Sequence, residues 1–377
     1  MSVTRLPFEN VFADESGGNI KTPQSEYKSQ GRFPVVDQGK SLIAGYVDEE
    51  ERVCGEGRPA IVFGDHTRCV KYIDHPFCMG ADGVKVLRPK IAADLKYLYY
   101  YLKQIQLPDA GYDRHFKYLK RTEIVLPSLE EQRRIATILD KADALYAKRR
   151  EVLTYLDRLA QSIFVEMFGD PMSPAAPWES VPVFAFVAGF ESGKSVAAED
   201  EEDATSPYRV LKVSAVTSLE FKPDESKAAP PAHVPQDSHF VRPGDLLFSR
   251  ANTTELIGAT AYVSEVPENL LLPDKLWRFV WHQEPRATPQ FVNYLFRQQK
   301  FRSEIGRRAS GSSGSMKNIS QDKVLSIEVS LPPVSLQQLF SERIAKIMAI
   351  KAAQLPATKY VRCLFSAIQD KAFRGGL

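Results

Sequence analysis

Cysteine is scarce in this chain of 377 residues. Only Cys54, Cys69, Cys78 and Cys363 are present, and no two form a CxxC pair. That usage argues against a disulfide framework and suits a reducing cytosol. Long apolar runs are missing, so no stretch approaches the ~20 residues that cross a bilayer as a helix. The opening MSVTRLPFENVFADE is polar and acidic, unlike a secretory signal, and the expected location is cytoplasmic. A large excess of one charge is missing too. With 49 Lys and Arg against 47 Asp and Glu the formal net charge is +2, so any nucleic-acid binding must come from local patches.

Proline and glycine are themselves absent between Pro127 and Gly169. That stretch reads as one long helix. Ser128 with Glu131 forms a capping box, and Gly169 is the expected end. Ile135, Leu139, Ala142, Tyr146, Leu153, Leu156, Ala160, Ile163 and Met167 recur in steps of four and three, a heptad seam broken at Arg149. Ile138, Leu145, Val152 and Leu159 widen it on one side. Between Glu130 and Glu166 there are seven acids and seven bases, so this is not a basic DNA-reading helix. A helix of this length needs a partner to cover its seam.

The partner lies in the same chain. Leu331-Pro332 repeats Leu126-Pro127 at an offset of 205 residues, which also places Gln132 on Gln337, Ile135 on Phe340, Leu139 on Ile344, Ala142 on Ile347 and Phe168 on Phe373. Ser335 with Gln338 reads as a second capping box. Each long helix follows a globular region of similar size, so the chain is a duplication of domain plus helix. The expected fold is α+β: two similar, mixed and β-rich recognition domains joined by two long antiparallel helices that form a coiled-coil spacer with pseudo-two-fold symmetry. The expected boundaries are 1–127 and 171–332 for the domains, 128–170 and 333–377 for the helices. Phe340, Ile344 and Ile347 continue the seam on the second helix. Pro356 interrupts it at a cost of about 3 kcal/mol, which predicts a kink near Gln354 or two shorter abutting helices.

In the first domain, strand-like runs at 33–36, 42–47, 60–63, 69–73 and 84–87 are separated by Gly, Asp and Pro. Residues 94–105 read as a helix, and its tyrosines 97 and 99–101 read as packing residues rather than a base-stacking platform. Arg114, His115, Lys117, Lys120 and Arg121 then form a basic segment with interleaved aromatics, a candidate phosphate-contacting loop whose bland alternative is a solvated edge. His66 with Cys69 and His75 with Cys78 have zinc-like local spacing. Both pairs fall in strand-like sequence, where third neighbours point to opposite faces, so no metal is expected.

In the second domain, strand-like runs fall at 208–213, 245–249, 259–263 and 276–280, with a helix at 289–305. Ala188 to Ser195 satisfies a loose phosphate-loop pattern. The five acids from Glu199 to Asp203 that follow it would repel a triphosphate, and Pro207 leaves little room for a helix. From Arg297 to Lys317 there are six bases and one acid, leading through Arg307 and Arg308 into Ser310-Gly-Ser312-Ser-Gly-Ser-Met-Lys317-Asn318. Flexible glycines let a backbone approach phosphate, and Lys and Asn suit base edges.

These segments together resemble the specificity (S) subunit of type I restriction–modification systems. KTPQSEYKSQGRFPVVDQGKSLIAGY, VFGDHTRCVKYI, GADGVKVLRP and HFKYLKRTEIVLPSLEEQRRIATILDKADAL are similar to one target-recognition domain and its helix. FVEMFGDP, SGKS, RPGDLLFSRANT, LLPDKLWRF, SGSSGSMKNIS and KAFRGGL are similar to the other. The resemblance implies that each domain reads one half of a split double-stranded DNA site, while the helices fix the gap and carry two methyltransferase (M) subunits. Restriction (R) subunits then join, in the service of DNA methylation and host defence. The S subunit performs no chemistry; S-adenosylmethionine, ATP and Mg belong to its partners. The residues agree, since no Asp/Asn-Pro-Pro-aromatic loop of an amino-methyltransferase is present: Pro230-Pro231 and Pro332-Pro333 are flanked by Ala229, Ala232, Leu331 and Val334. Charge and loop position nominate Arg68, Lys71 and the 114–121 segment in domain one. In domain two they nominate Arg250, Asn252, Arg307, Arg308, Ser312, Lys317 and Asn318. Two other readings are a phosphate-loop nucleotide-binding regulator and a coiled-coil scaffold that reads no DNA.

Overall fold

The computed structural model describes residues 3–108, 111, 113–195, 206–313 and 316–373, with the backbone alone at 312 and 313. The acid run from Glu199 to Asp203 and the side chain of Ser312 lie outside the described residues. The chain divides into two compact units, 1–151 with 354–377, and 152–353. The division cuts both long helices, so each unit contains one globular half and a portion of each helix.

The two halves are built alike. In unit one the principal sheet has the strand order Phe12–Asp14, Val84–Pro89, Ala60–Gly64, Val70–Ile73, all antiparallel. In unit two the order is Val187–Ser192, Leu276–Trp281, Leu246–Ser249, Thr260–Tyr262, again antiparallel. A smaller mixed sheet accompanies each. Phe33–Val36 runs parallel to Cys78–Gly80 and antiparallel to Gly45–Val47, while Arg209–Leu211 runs parallel to Leu270–Leu271 and antiparallel to Ser226–Ala228. Each half is closed by pairing its first strand with the strand that precedes its long helix: Thr4–Pro7 with Glu123–Leu126, and Ser180–Pro182 with Glu328–Ser330.

The first long helix runs from Leu129 to Phe168 and the second from Val334 to Phe373. Gly169 ends the first at φ +63°, the left-handed conformation that glycine adopts without cost. Ser128 Oγ accepts from Glu131 N at 3.3 Å, but the Glu131 carboxylate turns to Arg134 at 2.7 Å rather than back to the cap. The second helix starts one residue ahead of Ser335, which is therefore not its cap. Pro356 does not divide it: the helix is continuous across an exposed proline, so two abutting helices are ruled out.

Within each unit the two helix portions are antiparallel. In unit one Ile135 and Leu139 share a core with Ala372 and Phe373, while Arg149 donates to Gln354 at 3.3 Å. In unit two Phe164 meets Phe340 edge-on at 5.5 Å, while Asp157 pairs with Lys351. Ile135, Leu139, Leu156, Phe340, Ile344 and Ile347 are buried, and Ala142, Tyr146, Leu153 and Ile163 are half-buried. Leu145 and Val152 face outward at 45% and 46% exposure, so the seam is narrower than expected there. Further along, Phe164 and Phe168 are buried in place of Ile163 and Met167. An α-helix turns 3.6 residues and drifts about 20° per heptad, and over four heptads the buried face moves on by one residue.

Buried glutamines join helix to globular half at equivalent places. Gln132, 3% exposed, accepts from Asp94 N at 3.0 Å and donates to Pro127 O at 2.9 Å. Gln337, 0% exposed, accepts from Thr288 N at 2.9 Å and donates to Pro332 O at 2.8 Å. Asp94 and Thr288 in turn cap the helices Leu95–Gln104 and Pro289–Leu295 through Tyr97 N and Phe291 N. The tyrosines of the first of these are core: Tyr97, Tyr100 and Tyr101 are buried, with Tyr97 and Tyr101 against Phe373 at 5.4 and 5.2 Å. The helix expected at 289–305 is two helices, Pro289–Leu295 and Gln299–Arg308, because Gln298 takes an extended conformation between them.

Phe164→Ala should destabilise the chain by about 3–5 kcal/mol, whereas Val165→Ala, 49% exposed, should stay within about 0.5 kcal/mol. Urea denaturation of the full-length variants reads the difference. Similar losses at both positions would contradict this placement of the buried face.

Candidate nucleic-acid interface

The nominated residues of unit one divide into surface and interior. His115 is 1% exposed and its Nδ1 lies 3.1 Å from Asp65 O. Asp65 also accepts from Phe116 N at 2.8 Å, and its own N–H donates to Gly83 O at 2.7 Å. His115 is thus buried at a junction of loops that Asp65 holds together, and is not a phosphate contact. Lys71 is 5% exposed, and its ammonium donates to Asp37 O at 2.7 Å. Burial pulls its pKa down, against the pull of the Asp37 carboxylate. It braces a neighbouring loop and does not present its charge to solvent. Composition cannot distinguish such a lysine from an exposed one, because the distinction is whether its strand position faces inward.

Around that interior the exposed bases are Arg68, Arg114, Lys117, Lys120 and Arg121. Arg68 occupies the tip of the hairpin between strands Ala60–Gly64 and Val70–Ile73 at φ +61°, an uncommon conformation for a side-chain-bearing residue. Its N–H closes the tip on Gly64 O at 2.8 Å. Lys117 pairs with Asp113 at 2.6 Å and Lys120 with Glu9 at 3.2 Å, both half-exposed. Such pairs are worth little in water.

In unit two a three-stranded sheet gathers residues distant in sequence. Ala251–Asn252 pairs with Met316–Asn318, which pairs with Ser310–Ser313. Asn252 stands opposite Lys317, and Ala251 opposite Asn318. Cross-strand partners share a face, and successive residues alternate. Lys317 therefore lies on the Asn252 face and Asn318 on the other. Gly311 has no room for a side chain: a Cβ there would meet Met316 O at 2.6 Å. Arg250 is half-buried, donating to Asp274 O at 2.8 Å with its guanidinium 5.8 Å from the Trp277 ring centroid.

Arg307 and Arg308 both engage Glu304. Arg307 makes a fork of 2.8 and 2.7 Å, with its side chain 71% exposed. Arg308 adds bonds to Lys323 O at 3.0 Å and Ser326 Oγ at 2.9 Å, stapling Gln299–Arg308 to Gln321–Leu325. Arg308 is thereby a structural residue. Gln321, which the sequence reading passed over, braces the same region by exchanging amide bonds with Phe190 N and O at 3.3 and 3.0 Å.

The phosphate-loop reading fails on geometry. Residues 192–195 leave strand Val187–Ser192 and run alongside Leu272 and Pro273, with Lys194 bridged in parallel to Pro273. A Cβ on Gly193 would fall 1.6 Å from Leu272 O, so the glycine is needed for backbone contact and not for cradling an anion. Among the described residues no three His, Cys, Asp or Glu side chains gather to hold a metal ion. Burial pushes the Cys54 and Cys78 thiols up to about 11 and about 12. No helix is long and apolar enough to cross a membrane among the described residues.

Comparison with known proteins bears on this architecture. Residues 14–155 match the family described as type I restriction modification DNA specificity domain. The type I restriction enzyme EcoR124I/EcoR124II specificity subunit of Escherichia coli is 23% identical over 380 residues, covering 92% of this chain and 87% of that protein. The chain is thus similar to type I specificity subunits, through one matched domain and through a weaker likeness along most of its length. The EcoEI specificity subunit of Escherichia coli is 27% identical over 161 residues, 42% of this chain but only 27% of that protein. A crystal structure of the type I restriction–modification S subunit from M. genitalium has the same fold, with a TM-score of 0.59 at 13% identity over 99% of this chain and 96% of that one.

Hydrogen bonding, first from Arg307 and then from Arg308, holds the Glu304 carboxyl down to about 2, against its ordinary 4.5. A depressed folded pKa stabilises above the unfolded value, and the contribution is lost as pH falls toward about 2. Glu304→Gln should therefore flatten the acid limb of stability between pH 4.5 and about 2, read by urea midpoints across that window. An unchanged limb would remove Glu304 from acid sensitivity.

Proposed function

We propose that this chain is the DNA sequence-recognition subunit of a type I restriction–modification complex. Each globular half reads one half of a split duplex site, and the helices set the separation of the halves. The observation that carries this is the double construction: one strand order and one buried-glutamine joint occur twice on one chain. Two equivalent readers suit a bipartite site, whereas a nucleotide-binding regulator would need a phosphate cradle that Gly193 does not provide.

In the second half, Asn252 and Lys317 share a face of the small sheet. Asn suits adenine and Lys suits guanine or phosphate. Arg250, Arg307 and Asn318 are further contacts, with Ser312 in the same hairpin. In the first half, Arg68, Arg114, Lys117, Lys120 and Arg121 provide the electrostatic footprint. Methyl transfer and cleavage fall to methyltransferase and restriction subunits, two of the former, which bring S-adenosylmethionine, ATP and Mg. The long helices offer those partners exposed apolar side chains: Leu145, Val152 and Tyr155 on the first, Met348, Leu355 and Leu364 on the second. Outward-facing apolar residues on a paired helix support docking of further helices.

Lys317→Ala should weaken binding to all duplex sequences alike and lower the salt slope by about 1, whereas Asn252→Ala should relax one base position by about 1–3 kcal/mol. Salt-dependent binding of the methyltransferase complex to randomised duplexes reads both. A Lys317→Ala complex with an unchanged slope would remove that contact. Four residues inserted at Lys148 lengthen a helix by about 6 Å, nearly two base-pair steps of about 3.4 Å. Methylome sequencing should then show an altered gap between unaltered half-sequences; altered half-sequences at the original gap would defeat the spacer reading.

A further inference from the structure

Lys351, on the second long helix, is a lysine that the DNA-reading assignment leaves unused. Only 7% of its side chain is exposed, and its ammonium bonds two carboxylates: Asp157 of the first long helix and Glu220 of the second globular half. Those carboxylates are 55% and 48% exposed. The cation is the dehydrated member of the triad, and it depends on both acids. Burial works to lower its pKa, but the bonds to Asp157 and Glu220 prevail and raise it.

Glu220 does not hang on a free loop. Its neighbour Leu219 sits at φ +64° and accepts from the Arg297 guanidinium. That guanidinium lies 4.8 Å from the Tyr294 ring centroid, and its Nε is buried without a partner. Tyr294 packs on Phe340 at 5.2 Å and Phe164 at 6.3 Å. The path Lys351–Glu220–Leu219–Arg297–Tyr294–Phe340 therefore begins and ends on the second long helix. It fixes the globular half at a second point, away from the Gln337 joint. This tie adds to the Gln337 joint and the aromatic core in holding the tilt of that half.

Among the described residues the first half has no such triad. At the 205-residue offset Lys351 corresponds to Tyr146, and Asp157 to Arg362. There the second attachment is made instead by Lys96 and Tyr100 on Asp140, and by Lys103 on Asp143 at 3.9 Å. Those two acids correspond to Ala345 and Met348. The duplication is thus broken where each half is braced, and in the second half Lys351 carries the buried brace.

We propose that Lys351 is a positioning residue that fixes the tilt of the second globular half on the helix pair and thereby the half-site separation this protein accepts. This rests on the DNA-reading assignment above. Lys351→Met removes the tie and leaves two carboxylates repelling each other; Lys351→Arg keeps the charge and both partners.

The test is single-molecule methylome sequencing of a methylation-free host carrying the full-length chain with its methyltransferase subunit. The wild-type arm must yield one split motif with one gap. If it yields none, the DNA-reading assignment fails. Lys351→Met should retain both half-sequences but methylate sites with gaps one base pair longer or shorter about tenfold more than wild type does, which corresponds to about 1.4 kcal/mol of lost discrimination. Lys351→Arg should keep the single gap. Glu220→Gln, a half-exposed and mild change, should broaden the gap in the same direction and decides the matter if Lys351→Met does not fold. Strict retention of the wild-type gap by the folded variants, or a changed half-sequence, overturns the proposal.

Discussion

Two buried amides hold this architecture together. Gln132 and Gln337 stand in the first turns of the long helices, almost wholly dehydrated, and each bonds the backbone on both sides of the joint. A buried amide left unsatisfied costs about 1–3 kcal/mol. Each glutamine therefore requires the cap of the globular helix to lie at one place and in one orientation. The same requirement fixes which face of the long helix meets the globular half. The aromatic cores then follow: Tyr97 and Tyr101 on Phe373 in one unit, Phe291 and Tyr294 on Phe164 and Phe340 in the other.

From this joint the two units diverge. Their sheets share strand order and their closing strands share register, but the charges that brace each half on the helices differ in residue and position. A repeat that preserves its joint and varies its braces lets each half change what it touches without losing its seat. The candidate DNA contacts lie in the parts that vary, on hairpin tips and on the small sheet around Asn252 and Lys317. Binding residues commonly sit on loops and tips held by a rigid frame.

Much was legible in the sequence. The absence of Pro and Gly between Pro127 and Gly169, the offset of 205 residues and the matching of Gln132 with Gln337 were sufficient for the duplication and the long helices. Strand positions in both halves were readable from short β-branched runs bounded by turn residues. Side-chain reach was not. His115 and Lys71 belong to basic stretches by composition, but one is buried against Asp65 and the other supports Asp37. Arg308 reads like Arg307, yet it is committed to Ser326 and Lys323.

The chain by itself determined periodicity and repeat, because these are properties of residue order along a helix or strand. Tertiary structure decided which of several equivalent bases face water, and which of two neighbouring apolar residues enters the core. Phe164 displaced Ile163 because a real helix drifts against a heptad. Lys351 became a buried tie because two acids far away in sequence converge on it. Such convergence depends on distances between elements, and a linear sequence does not contain them.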